Sequence, residues 1–350
     1  PLNNFLNLVP PNDYDDENKY YIKNGNLKSG DPYTNDNELY TIITGRGCPF
    51  DCTYCINHLF KELYSNRGYP IRRRNVSHVI NELSQAKKIF PNLKRVSIYD
   101  DVFVLDKEWA KEFCDEYKEK INLPFSCLFH PSTIKEEIVS TLKEGGLDYI
   151  DIGIESGSER IRRDILGRKD SNKVIRKAMN IMHKYNIRPY LDFILDNPFE
   201  TAGDKRESLE LLLSFPRPFL FYFYSLIYFP KTKMTQLALE RKIITADDVE
   251  DNKGKVFDQF QVSFSYKRSK DELFWICLFS LTGKSFIPKS LIRGLSKIHM
   301  LSVNPVPLVA LATVSNYIRV FGIGMERLFS GQLTFKMFKR HFKSALTLNR

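Results

Sequence analysis

The chain has 350 residues, 43% hydrophobic and 27% charged, which excludes a disordered or fibrous protein and leaves room for one large domain with an appendage. Its formal charge of +10 is unevenly placed: residues 284–350 hold eleven Lys or Arg against the single acid Glu326, so the rest of the chain is balanced and no nucleic-acid groove is expected there. The six cysteines, Cys48, Cys52, Cys55, Cys114, Cys127 and Cys277, lack the paired spacing of a disulfide framework, which points to a reducing, intracellular compartment.

In chain order, residues 1–38 are rich in Asn, Asp, Pro and Tyr and have no sustained period, so they predict an extended linker with one short hairpin around Tyr20–Asn26. The start at Pro1 suggests a segment of a longer polypeptide. A β-branched run over 39–44 ends at the Gly45 turn and leads into Cys48-Pro49-Phe50-Asp51-Cys52-Thr53-Tyr54-Cys55. Apolar residues three or four apart predict a helix from Val76 to Ile89, followed by a strand at Val96–Ile98 that ends in Asp100-Asp101. The alternation repeats. A helix is expected over 107–119, a strand over 124–129, and a helix over 133–144 opened by Thr133-x-x-Glu136 and closed by Gly145-Gly146. A strand over 148–154, a helix over 172–185, a strand over 189–195, a helix over 202–214 capped by Thr201-x-x-Asp204 and an aromatic strand over 219–228 complete it. Six strands, the first five each followed by a helix, imply parallel pairing through right-handed crossovers, and six suit a partial (β/α)6 barrel of TIM type better than a closed one of eight. The active site of such a fold lies at the C-terminal strand ends, where the cysteines, Asp100-Asp101, Glu155-Ser156-Gly157 and Asn197-Pro198-x-Glu200 fall.

Three thiols at C-x3-C-x2-C spacing can converge on one metal centre but leave a coordination position open. His58 could close that position around zinc, although no second ligand pair exists to build a zinc module. Plainer readings stand beside the others too: Asp100-Asp101 as a helix cap, Ser156-x-x-Glu159 as a capping box, Asn197-Pro198 as a turn and Arg168 as a solvated charge. Cys114, Cys127 and Cys277 read as buried hydrophobes, and the 221–224 aromatics as core on one face.

Over roughly residues 1–245 the sequence resembles the radical S-adenosylmethionine superfamily, cobalamin-binding subgroup. The resemblance rests on Arg46-Gly47-Cys48-Pro49-Phe50-x-Cys52-x-Tyr54-Cys55, Asp100-Asp101-x-Phe103, Gly153-Ile154-Glu155-Ser156-Gly157-Ser158 and Asp196-Asn197-Pro198-Phe199-Glu200-Thr201. It implies a 4Fe-4S cluster on Cys48, Cys52 and Cys55, whose open iron binds S-adenosylmethionine, and reductive cleavage of that cofactor to a 5'-deoxyadenosyl radical. By position, Tyr54 would lie beside the adenine, Asp100 and Asp101 would receive the methionine ammonium, and Glu155 and Ser156 the ribose or methionine part. Arg168 would pair with the carboxylate, and Phe50 and Asn197 join the cofactor-binding positions. Two departures stand out: Asp196-Asn197 where a glycine is usual, and Phe229-Pro230-Lys231-Thr232 where Phe-Pro-Gly-Thr is expected at a turn needing positive φ.

The expected organisation is a linker (1–38) following an absent cobalamin-binding domain, a radical S-adenosylmethionine barrel (39–245) and a helical, basic C-terminal region (246–350). No signal peptide opens the chain, and its longest apolar run, Val306–Val314, reads as cut short by Asn316 and Arg319, so no membrane span is expected. A basic amphipathic helix over 331–350 would make peripheral contact with a membrane or dock on the barrel. The resulting expectation is a cytoplasmic, cobalamin-dependent C-methyltransferase acting on an unactivated carbon of a small or lipid-like substrate, supplied with electrons by a flavodoxin or ferredoxin. The alternatives are a radical rearrangement or cyclisation enzyme without cobalamin, and a non-catalytic iron-sulfur or zinc module.

Overall fold

The computed structural model describes residues 20–23, 25–29, 38–64, 71–103, 106–251, 268–329, 335, 338 and 339. Strands β1 (Tyr20–Lys23) and β2 (Asn26–Ser29) form the expected antiparallel hairpin, with Gly25 at φ +78° supplying the turn. Then come β3 (Leu39–Ile42), a two-residue pair formed by β4 (Gly45–Arg46) and β5 (Arg72–Arg73), α1 (Asn57–Leu63) and α2 (Val76–Ile89). They are followed by β6 (Arg95–Ile98), α3 (Lys107–Lys120), β7 (Phe125–Phe129), α4 (Glu136–Glu144), β8 (Leu147–Glu155), α5 (Asn172–Lys184), β9 (Arg188–Leu195), α6 (Ala202–Ser214), β10 (Leu220–Ser225) and α7 (Lys233–Glu240).

The large sheet has six strands in the order β10-β9-β8-β7-β6-β3, open at both edges. Sequential strands are spatial neighbours with a helix in each connection, which is the partial (β/α)6 arrangement. Alternation along each strand sends one set of side chains to the helices: Tyr40 and Ile42 of β3, and Ile150, Ile152 and Ile154 of β8, are all buried. Tyr40 also donates its hydroxyl to Glu82 Oε1 of α2 at 2.8 Å, so this buried polar group is satisfied.

The chain divides into two compact units. The first comprises Pro1–Pro49, Phe60–Asp151 and Lys184–Ile187, and the second Phe50–Leu59, Ile152–His183 and Arg188–Arg350. The first is centred on an aromatic series in which the rings of Trp109 and Phe113 stack 5.2 Å apart and Phe103, Tyr117 and Phe125 meet Phe113 at steep or tilted angles. In the second, Phe193 of β9 meets Phe221 of β10, as well as Phe279 of helix α9 (Lys270–Thr282). Every side chain of α9 from Phe274 to Phe279 is buried, so this helix is apolar all round and forms a core of its own. Around it lie α6, α10 (Lys289–Leu295), α11 (His299–Val303) and α12 (Val306–Phe329); α8 (Ala246–Asp251) precedes it.

Four sequence expectations change. Thr133 does not cap α4: it ends a 3-10 turn, Pro131–Thr133, and its hydroxyl donates back to His130 O, so α4 begins three residues later with Lys135 as its cap. Ser156 and Glu159 form no capping box either, because the segment after β8 enters a π-helical turn at Ile161–Ile165, introduced by Arg160, while Glu159 accepts from Asn172 N–H. The aromatic strand is shorter than 219–228. The apolar run beginning at Val306 is not cut short: α12 continues through Asn316 and Arg319, and Val306–Glu326 is the one helix among the described residues long and apolar enough, by length and composition, to cross a membrane. The capping box Thr201/Asp204 forms as expected, whereas most of 331–350 lies outside the described residues.

Candidate active site

In the first unit, the end of β3 and the end of β6 are joined by one carboxylate. Asp100, buried, accepts from Thr44 N–H (2.6 Å), Thr44 Oγ1 (2.5 Å) and Gly45 N–H (3.0 Å), and it pairs with Arg73 at 3.2 Å. Burial pushes its pKa up, and Arg73 and the three donors oppose that. Arg73 in turn lies over the Trp109 ring at 4.7 Å. Asp100 thus spends its acceptors on the turn that launches the cysteine loop. The exposed Asp101 is differently placed: it accepts from Gly47 N–H at 3.1 Å. Neither caps a helix, since α3 is capped by Asp106.

In the second unit, the later part of the loop is tied to the π-helical turn. Thr53 N–H donates to Leu166 O (3.0 Å), Thr53 Oγ1 to Ile165 O (2.6 Å), and Met234 N–H of α7 to Thr53 O (2.9 Å). Gly167, at φ +68°, sits so close that a Cβ would stand 3.1 Å from Asp51 O, so this crossing requires glycine. Tyr54 rests on the cluster of Ile161, Ile165, Leu166 and Phe199.

The side chains that follow form a charged nest. Arg168, only 5% exposed, donates to Gly153 O (2.6 Å), Glu155 Oε1 (3.3 Å) and Tyr54 Oη (3.3 Å), with Asp170 at 3.7 Å. Burial alone would lower the Arg168 pKa, but Tyr54, Glu155 and Cys52 outweigh it and hold the guanidinium charged. Burial raises Glu155 and Arg168 restrains the rise; burial likewise raises Cys52 and Tyr54. Glu155 itself adopts φ +66°, a left-handed turn for a non-glycine residue that ends the strand and swings its carboxylate back toward Gly153, where a Cβ would stand 2.5 Å from Oε1.

Ser156 and Asn197 each have a hydrogen-bond partner within the protein. Ser156 Oγ donates to Glu200 Oε1 at 2.6 Å, and burial pushes Glu200 up to about 7. Asn197 Oδ1 accepts from Phe199 N–H and closes its own turn. Phe50 is half-buried on the loop. The network from Thr53 to Ile165 and Leu166 was not foreseen; its one sequence signal is Gly167-Arg168.

None of the six cysteines is in a disulfide, and Cys114, Cys127 and Cys277 are buried, the first and last pushed up to about 12. Among the described residues no group of three or more His, Cys, Asp or Glu is gathered closely enough to hold a metal ion, the Cys/His58 set included. The donor chemistry of the loop nevertheless fits an iron-sulfur cluster, and three polar atoms next to it have no hydrogen-bond partner among the described residues: both ring nitrogens of the buried His58, and Arg168 Nε.

An open (β/α)6 sheet with a three-thiol loop after its first strand and a buried Arg–Glu pair after its fourth defines a partial-barrel domain built around a cofactor. Residues 42–212 match the model of the Radical SAM superfamily. It is 28% identical over 177 residues to an uncharacterised methyltransferase of Pyrococcus horikoshii (50% of this chain, 36% of that one). It is 26% identical over 186 residues to the cytidylyl-2-hydroxyethylphosphonate methyltransferase of Streptomyces wedmorensis (51% and 32%). The chain thus matches about a third of the length of these relatives. Its fold is similar to that of OxsB, a cobalamin-dependent S-adenosylmethionine radical enzyme solved with aqua-cobalamin bound: TM-score 0.52, 13% identity, 94% of this chain and 58% of that one.

Proposed function

We propose that this chain is the radical S-adenosylmethionine part of a cobalamin-dependent C-methyltransferase. The observation that carries the radical reading is the C-x3-C-x2-C loop, fastened through Thr53 to the turn that presents Arg168. The methyl-transfer reading is supported by the two methyltransferase relatives and the cobalamin reading by the likeness to OxsB.

In this proposal Cys48, Cys52 and Cys55 hold the cluster. When bound, the cluster supplies the electron that cleaves the sulfonium of S-adenosylmethionine to give a 5'-deoxyadenosyl radical. The chain's own residues bind and orient. Arg168 and Glu155 offer a fixed positive and a fixed negative group for the carboxylate and for the ribose or ammonium of S-adenosylmethionine; Asp101 is the exposed carboxylate available to the ammonium; and Tyr54 and Phe50 offer aromatic surface to the adenine. Asp100 acts one step back, by holding the Thr44–Gly45 turn, and Ser156 and Asn197 likewise act through the turns they close. The substrate is a small or lipid-like molecule, and a flavodoxin- or ferredoxin-like protein is the electron donor.

Anaerobic reconstitution with iron and sulfide, followed by S-adenosylmethionine and dithionite, should yield a cluster spectrum and 5'-deoxyadenosine, both lost in Cys48→Ala, Cys52→Ala or Cys55→Ala. No cluster, or no 5'-deoxyadenosine from a loaded protein, would refute the radical reading. Failure of methylcobalamin to support methyl transfer would remove the cobalamin reading alone.

A further inference from the structure

Helix α12 has two unlike faces. One packs against α9, with Leu308, Ala312 and Ser315 buried. Arg319 is largely turned inward and donates to Asn316 Oδ1 at 2.5 Å, whereas Thr313 and Tyr317 are half-buried on the opposite side and Glu326 is exposed. The other face carries Val306 (67% exposed), Leu311 (37%), Val314 (56%) and Ile318 (55%), and the adjoining α11 adds Met300 (73%) and Val303 (53%). Further along the helix Phe321 meets the Phe338 ring at 5.9 Å, but the exposed apolar side chains before it mark a surface that meets something.

Charge says what it meets. Residues 284–350 carry eleven Lys or Arg and one acid; although Lys284 is buried and Arg293 pairs with Glu210, the region keeps a strong positive excess, and two copies brought face to face would press like charges together. A surface of phosphate headgroups over acyl chains offers the opposite charge and an apolar interior at once. We propose that this face of α12 docks the protein on an anionic lipid bilayer, the helix lying in the plane of the interface with Leu311, Val314 and Ile318 below the headgroups. Spanning is disfavoured because the inner face of α12 is already occupied by α9 and carries Ser315, Asn316 and Arg319. This places the contact on α12 and does not depend on the radical chemistry.

The test is flotation of the iron-sulfur-loaded protein with vesicles of phosphatidylcholine and phosphatidylglycerol in equal amounts, against phosphatidylcholine alone. Binding is expected to the mixed vesicles, to weaken with salt, and to fall by roughly tenfold or more in Val314→Asp/Ile318→Asp. If that variant melts at a lower temperature, Val314→Ser/Ile318→Ser gives a milder comparison, with a several-fold loss expected. Equal binding by wild type and both variants overturns the proposal. So does release by detergent alone, which is the behaviour of a span. So does a wild-type dimer that ignores vesicles and that these substitutions split, which would assign the face to a second copy.

Discussion

Arg168 is the residue on which the second unit's polar site turns. Its guanidinium is buried with a carboxylate, a phenol and a carbonyl as partners, so replacing it strands Glu155 in a dry setting. Arg168→Ala should destabilise the protein by about 3–5 kcal/mol in urea unfolding, while Arg168→Met combined with Glu155→Gln should recover most of the loss. A single-variant cost below about 1 kcal/mol would show the pair to be solvated. Asp151 is the contrasting case: buried, with Oδ1 lacking any hydrogen-bond partner among the described residues, and raised by burial to about 7 despite Arg95. A carboxyl whose folded pKa exceeds its unfolded value binds the extra proton in the native state. Its contribution is therefore complete below about pH 4 and is lost as pH rises through about 7. Asp151→Asn should flatten stability between pH 4 and 8 and be the more stable protein at pH 8; parallel pH–stability curves would refute this. The two residues also differ in legibility. Glu155 stood out in sequence through Gly-Ile-Glu-Ser-Gly and Arg168 only through the family resemblance, and that they pair thirteen positions apart depends on a π-helical turn that no periodicity announces. Asp151 looked like one more polar residue in an alternating strand.

At the scale of elements, the positions where the chain departs from the superfamily's glycines are informative. Lys231, in Phe229-Pro230-Lys231-Thr232, adopts φ +66°, and Asp196 adopts φ +53°. The turns keep the left-handed geometry that glycine would have favoured, and the side chains absorb its cost. Asp196 gains compensation, accepting from Ser225 Oγ at 2.5 Å and pairing with Arg268 at 3.3 Å. Lys231→Gly should therefore stabilise the protein by about 0.5–1 kcal/mol in thermal unfolding, and a loss of stability would mean that the lysine side chain contributes more than the turn. Two of the three apparent capping boxes teach a related lesson. Thr201 and Asp204 form theirs, with Asp204 accepting Thr201 N–H at 2.8 Å, whereas Thr133 is drawn into the turn set by Pro131 and donates backward instead. One motif in sequence has two outcomes because the residues before it decide which way the hydroxyl faces.

For the whole molecule, the strand–helix alternation was legible because each β-α unit writes its own period, and right-handed crossovers then leave only a few sheet orders. The helical character of the C-terminal region was legible too, but its packing was not, because its helices are organised by α9 rather than by local pattern. Asn316 and Arg319 looked like the end of an apolar run only because their side of the helix was unknown. Deleting residues 299–350 should bare α9, whose Phe274–Phe279 segment is buried throughout, and give protein that aggregates and binds a hydrophobic dye, measured as soluble yield and dye fluorescence. Soluble, dye-silent protein would mean that α6 and α10 cover α9 by themselves.

The π-helical turn at Ile161–Ile165 acts as a phase shift in the chain. A wide turn carries an extra residue, so everything after it emerges about 100° out of step with an uninterrupted α-helix. Thr53 reads that phase at Ile165 and Leu166, and Arg168 follows two residues later. Substitutions at the exposed Arg163 and Asp164 leave the phase alone, but deleting either would restore ordinary pitch and rotate Arg168 away from Gly153 and Glu155. This segment should tolerate changes of spelling and resist changes of length.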